Sequence, residues 1–134
     1  MLDCGVLPAS AQMVSAALGL NDNSDTVGDY QYNNTDANQI SHPAPPGTEH
    51  RHAFLRRKNH ILRLWPGAAR GINNHGWIGG VKDLGLTSDG GQGVLRRGGR
   101  TTLLKMQPAA INERGEIAGN VPINDDIGRA CLWR

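Results

Sequence analysis

The string "GINNHGWIGG" at 71–80 returns as "AINERGEIAG" at 110–119 and, more loosely, as "GLNDNSDTVG" at 19–28. Self-similarity of this kind constrains a fold more than local propensity does, because each copy must build the same supersecondary unit. The copies align on Asn21, Asn73 and Asn112, each preceded by an aliphatic residue: Leu20, Ile72 and Ile111. Eight positions after that residue stands a glycine, Gly28, Gly80 or Gly119. A second block follows as "HAFLRRKNHILRL" (52–64), "QGVLRRGGRTTLL" (92–104) and the shorter "RACLWR" (129–134), with Leu55, Leu95 and Leu132 in register. The leucine spacing is 40 and then 37 residues.

The physical content of the first block is a turn. Asparagine suits the first position of a type I turn, where its side chain bonds backbone amides further on. A glycine three residues later accepts positive φ and closes a hairpin with a G1 bulge. Asn73 to Gly76 and Asn112 to Gly115 fit that pattern. Ser24 replaces the glycine in the first copy, which predicts a costlier or differently shaped turn. The second block is another hairpin, with short apolar runs flanking Lys58-Asn59 and Gly98-Gly99. Each copy therefore holds four short antiparallel strands in about 40 residues, the content of one propeller blade.

The expected fold is all-β, with antiparallel four-stranded repeats arranged as β-propeller-like blades of a partial propeller. The whole chain, 1–134, reads as one repeat segment with units at about 17–64, 69–104 and 108–134, the last truncated. Residues 29–51 are polar and proline-bearing and read as an exposed loop insertion; 81–91 is its shorter equivalent. Helical periodicity is weak. The stretch 9–20 reads as a loop leading into a strand.

Composition narrows the function classes. The chain has 134 residues, a formal net charge of +2, 18 glycines and 4% aromatics. No stretch nears the roughly 18–20 apolar residues of a membrane helix. The amino end, "MLDCGVLPAS", lacks a basic region followed by an apolar run, so no secretory signal is read there. Cys4 and Cys131 lie near opposite ends and read as buried free thiols; their redox state is open.

Together the two blocks resemble the HAF repeat of bacterial proteins described as extracellular repeat proteins, in about three degenerate copies from residue 17 to 134. That pattern is Gly-Ile-Asn-x-x-Gly-x-Ile/Val-x-Gly, a variable loop, then His-Ala-Phe-Leu-Trp. "GINNHGWIGG" and "HAFLRR" carry it best. His-Ala-Phe is intact only at 52–54 and becomes Gln92-Gly93-Val94 and Arg129-Ala130-Cys131 elsewhere. The resemblance implies an extracellular or cell-envelope location. It carries no activity, so no functional residue is transferred.

The chemistry-bearing residues have plain structural readings. His50 and His52 alternate and would share one strand face, while His42, His60 and His75 fall in loops or at turns. No carboxylate or cysteine stands at zinc-ligand spacing beside them. The acidic stretches 21–29 and 124–128 lack the glycine placement and terminal glutamate of an EF-hand. Arg56-Arg57 and Arg96-Arg97 occupy equivalent positions and could form a stripe for a polyanion, although few aromatics interleave; solvated or snorkelling arginines are the plainer reading. No Gly-x-Ser-x-Gly, cysteine–histidine pattern or P-loop occurs.

The sequence thus assigns no catalytic, cofactor or metal residue and no cofactor. It favours a non-enzymatic repeat scaffold or binding module of a bacterial surface or secreted protein. The alternative is a fragment of a glycan-acting propeller enzyme whose active site lies in blade loops. Expected partners are a polysaccharide or another protein, or a second chain through edge strands; nucleic acid is disfavoured.

Overall fold

The computed structural model describes residues 14–32, 50–83, 91–124 and 127–134, and these form only strands and their connections. The strands are β1 (Val14–Leu20), β2 (Thr26–Tyr32), β3 (His50–Arg57), β4 (His60–Ile72) and β5 (Ile78–Lys82). They continue as β6 (Gln92–Arg97), β7 (Arg100–Leu104), β8 (Gln107–Ile111), β9 (Ile117–Pro122) and β10 (Gly128–Trp133). Strands β1 to β7 are hydrogen-bonded in chain order, and β8, β9 and β10 form a separate sheet. All pairings are antiparallel. The expected all-β antiparallel class is borne out. Among the described residues neither sheet closes on itself.

The long strand β4 changes partner half-way. Residues up to Pro66 pair with β3, whereas Gly67 to Ile72 pair with β5. Proline has no N–H to give a ladder, and Gly67 has φ +138, a value that L side chains rarely adopt. The Pro66-Gly67 step thus divides the seven strands into a first meander, β1 to Pro66, and a second, Gly67 to β7. Strands β8 to β10 make a third. No break separates the first two units, although the sequence placed a gap between 64 and 69.

The meanders lie face against face. A Cβ at Gly19 in β1 would sit 3.0 Å from the Gly71 Cα in β4, and one at Gly79 in β5 would sit 3.2 Å from Pro108 in β8. Two apolar clusters fill the seams. Val27, Ala53 and Leu55 of the first meander pack with Ala69, Ile72, Ile78 and Val94 of the second. Leu95 of the second packs with Met106 and Ile117 of the third, and Trp77, Ile111, Val121 and Trp133 join them. Strand alternation makes this possible, because Val94 and Leu95 point to opposite faces of one sheet.

The matched leucines do not share one environment. Leu55 and Leu95 are buried, whereas Leu132 is 51% exposed. The cause is position. Each leucine faces the meander that follows its own, and among the described residues none follows the third.

Strand also extends further into the interval 29–51 than the sequence suggested. β2 runs to Tyr32, β3 begins at His50, and Tyr30 is buried beside Phe54. Residues 33–49 lie outside the described part, as do 9–13. The strand expected at the end of 9–20 is β1.

Candidate functional site

The three asparagine turns form one continuous polar structure along the meanders. In each, the amide three residues on donates to the asparagine carbonyl: Ser24 at 3.1 Å, Gly76 at 3.0 Å and Gly115 at 3.0 Å. These closing residues all hold positive φ, 63, 79 and 81. The turn with serine therefore keeps the shape of the glycine turns, and its difference is confined to backbone strain.

The asparagine side chains organise the turns in the same way. Asn21 Oδ1 accepts from the Asn23 and Asp25 amides at 3.0 and 2.9 Å. Asn73 Oδ1 accepts from His75 and Trp77, both at 3.0 Å. Asn112 Oδ1 accepts from Arg114 and Glu116 at 3.1 and 2.9 Å. Each side chain caps the loop that it begins.

The amide end of each side chain reaches across. Asn21 Nδ2 donates to the Asn73 carbonyl at 3.0 Å, and Asn73 Nδ2 donates to the Asn112 carbonyl at 3.1 Å. A second rung runs beside it. The Asp22 amide donates to Asn74 Oδ1 at 2.7 Å, and the Asn74 amide donates to the Glu113 carboxylate at 3.0 Å. Asn112 ends the series among the described residues: its Nδ2 donates within its own loop to Glu116 Oε1 at 2.8 Å, as Asn21 Nδ2 also does to Asp25 Oδ2 at 3.1 Å, but makes no bond to a further turn.

A third correspondence involves arginine. The residue four after each asparagine meets the arginine at the end of the third strand. Arg57 Nε and Nη2 donate to the two Asp25 oxygens at 3.2 Å. Arg97 lies 5.5 Å from the centre of the Trp77 ring, a cation–π contact. Arg134 approaches Glu116 at 3.6 Å. Burial acts to raise the Asp25 pKa, but the hydrogen bonds from Arg57 and Asn21 outweigh it and leave the carboxyl below its usual value of 3.8. Glu116 is also lowered, chiefly by Asn112. The polyanion stripe read at 56–57 and 96–97 is thus half committed internally, because Arg57 and Arg97 already serve the turns.

A charged network lies across the first two meanders. Arg51 grips Asp83 with Nε at 3.0 Å and Nη2 at 2.8 Å, a bidentate geometry. Its Nη1 stands 3.8 Å from Asp29. Burial pushes the Asp29 carboxyl up against the opposing pull of Arg51 and Arg70. Burial, then Arg51, holds Arg70 below its usual range, and Arg70 Nη1 donates to the Pro108 carbonyl at 3.3 Å. In the sequence Asp83 stands in the loop 81–91 and belongs to no motif. Only spatial proximity to Arg51 reveals its partner.

One cavity of about 300 Å³ opens between β4 and the β6–β7 hairpin. Its lining combines apolar Leu64, Trp65 and Val94 with the cationic Arg63, Lys82 and Arg96. Among the described residues its lining includes no acidic side chain. Such a surface can receive an anionic group.

Among the described residues no group of three or more His, Cys, Asp or Glu side chains could hold a metal. His52 stacks on Tyr30 at 6.0 Å and His75 lies 5.4 Å from Trp77. His42 lies outside the described residues. In the acidic stretch 21–29, Asp22 and Asp25 are bonded to Asn74 and Arg57; residues 125 and 126 of the second stretch are outside the described part. Cys131 is a free, half-buried thiol, and Cys4 lies outside. Among the described residues no helix is long and apolar enough to cross a membrane.

No family model, curated protein or solved structure matches this chain.

Proposed function

We propose that the three meanders are copies of one repeat, stacked as β-propeller-like blades, and that the chain is a non-enzymatic scaffold or binding module. The asparagine ladder carries this reading. It joins three loops at matching positions by matching bonds, which is what a stacked repeat needs at each seam. The pairings Asp25–Arg57, Asp83–Arg51 and Glu116–Arg134 support it further. They spend ionisable groups on structure, whereas a catalytic site gathers them around a substrate. The resemblance of the two sequence blocks to HAF repeats is what supports reading such a module as part of a bacterial surface or secreted protein.

The surface offered for binding is the cavity of Arg63, Lys82 and Arg96, which suits an acidic polysaccharide. The test is retention of the chain on a polyuronate and on a neutral glucan, with reducing ends assayed in parallel. Salt-sensitive retention on the polyuronate alone, weakened by the double change Lys82→Ala and Arg96→Ala, is the expected result. Release of reducing ends would overturn the non-enzymatic reading, and equal retention on both polymers would overturn the cavity assignment.

A further inference from the structure

We propose that the outer face of the third meander docks a second copy of this chain, which presents its β1 strand and Asn21 turn. The inference rests on the repeat reading above. Four positions mark the face each meander turns toward the next. In the second they are Gly71, Gly79, Gly93 and Leu95, all buried. In the third they are Ala110, Ala118, Ala130 and Leu132, all exposed. The surface that seals the seam between the second and third meanders is thus built again, small residues around one leucine, and left open.

The first meander carries the matching half. Ile72 holds this seam position in the second meander and is buried; its counterpart Leu20 is 68% exposed, with Leu18 also exposed beside it. Tyr30 and Phe54, further out on the same side, are already covered, so the docking strip is β1 and its turn. The ladder has two open ends at the same places. Among the described residues the Asn21 carbonyl accepts only the Ser24 amide, whereas the Asn73 and Asn112 carbonyls each accept a second bond from the preceding asparagine. Asn112 supplies the missing donor with the second N–H of its Nδ2, just as Asn21 Nδ2 bonds Asp25 and the Asn73 carbonyl together. The contact is head to tail, between unlike faces, and differs from edge-strand pairing. Interfaces of this kind close into rings or grow into open assemblies.

Light scattering coupled to size exclusion tests this over a concentration series of the 134-residue chain. The expected species is an assembly of at least twice the 14.4 kDa of one chain. Leu20→Glu and Leu132→Glu should each return it to the monomer with circular dichroism unchanged. Ala118→Arg, on another strand of the docking face, should repeat the effect. An equimolar mixture of the Leu20→Glu and Leu132→Glu chains retains one intact pair of faces and should form dimers. A monomeric wild type overturns the proposal. So does an assembly that survives Leu20→Glu while failing with Leu132→Glu, which would mean like faces pairing. The repeat reading fails separately, if Leu95→Glu at the internal seam destabilises the monomer no more than Leu132→Glu does.

Discussion

The Asn73 and Asn112 turns have the same backbone, the same side-chain cap and nearly the same φ at the closing glycine. They differ in what lies beyond them. Asn73 is 1% exposed and bridges to the next turn, whereas Asn112 is exposed and folds its amide back on Glu116. The loop geometry is therefore a local property. The energetic weight of the same side chain is set by its neighbour.

Substitution at the two asparagines should expose that difference most. Asn73→Ala strips acceptors from two loop amides and a donor from the Asn112 carbonyl in a dry seam, with an expected cost of about 4 kcal/mol. Asn112→Ala breaks the same cap where water can replace it, and should cost about 1 kcal/mol. Urea melts measure both, and equal losses would erase the contrast.

The leucines sharpen it with an apolar probe. Leu95→Ala opens a cavity against Met106 and Ile117, and about 3 kcal/mol should be lost. Leu132→Ala should cost about 0.5 kcal/mol in chains dilute enough to remain monomeric. A large loss at Leu132 in the monomer would show that its face is already covered.

The closing glycines differ more subtly. A Cβ at Gly115 would meet the Trp77 ring at 2.4 Å, while at Gly76 the nearest atom is the flexible Arg57 Nη2 at 3.5 Å. Both positions hold positive φ and both valines would be strained. Gly115→Val adds overpacking, so thermal melts should show losses of about 3 kcal/mol there and about 1.5 kcal/mol for Gly76→Val.

The arginine pairs separate the first two meanders by pH. Asp25 is depressed in the folded chain, so its stabilising contribution is present above its ordinary value of 3.8 and is lost as pH falls through the lower folded value. Arg57→Ala removes the main opposing influence and leaves burial to raise the carboxyl, so Asp25 should then destabilise at neutral pH and regain stability on acidification. Arg97→Ala removes a contact with an uncharged ring and should leave the shape of the melting-temperature profile unchanged. Parallel profiles for the two variants would contradict the pairing.

Much of this was legible without coordinates. The turn chemistry at Asn73 and Asn112 and the hairpins around Lys58-Asn59 and Gly98-Gly99 were readable because each is complete within a few residues. Gly98 and Gly99 both take positive φ, as does Lys58. The arginine partners were readable in principle. Asp25, Trp77 and Glu116 stand at one offset from the asparagines, and Arg57, Arg97 and Arg134 at one offset from the leucines. Their chemistry changes from acid to ring to acid, however, so the pattern does not appear as a motif.

The sequence alone determined the strands, the asparagine caps and the matched register of three similar stretches. Those depend on side chains reaching their own backbone and on alternation along one strand, over distances of four residues or so. Tertiary structure alone decided that Asn21 bonds the Asn73 carbonyl, that Arg51 holds Asp83, and that one matched leucine is dry while another is wet. Each of these depends on which sheet face another sheet covers, and burial and pairing between distant segments follow from that packing rather than from the order of residues.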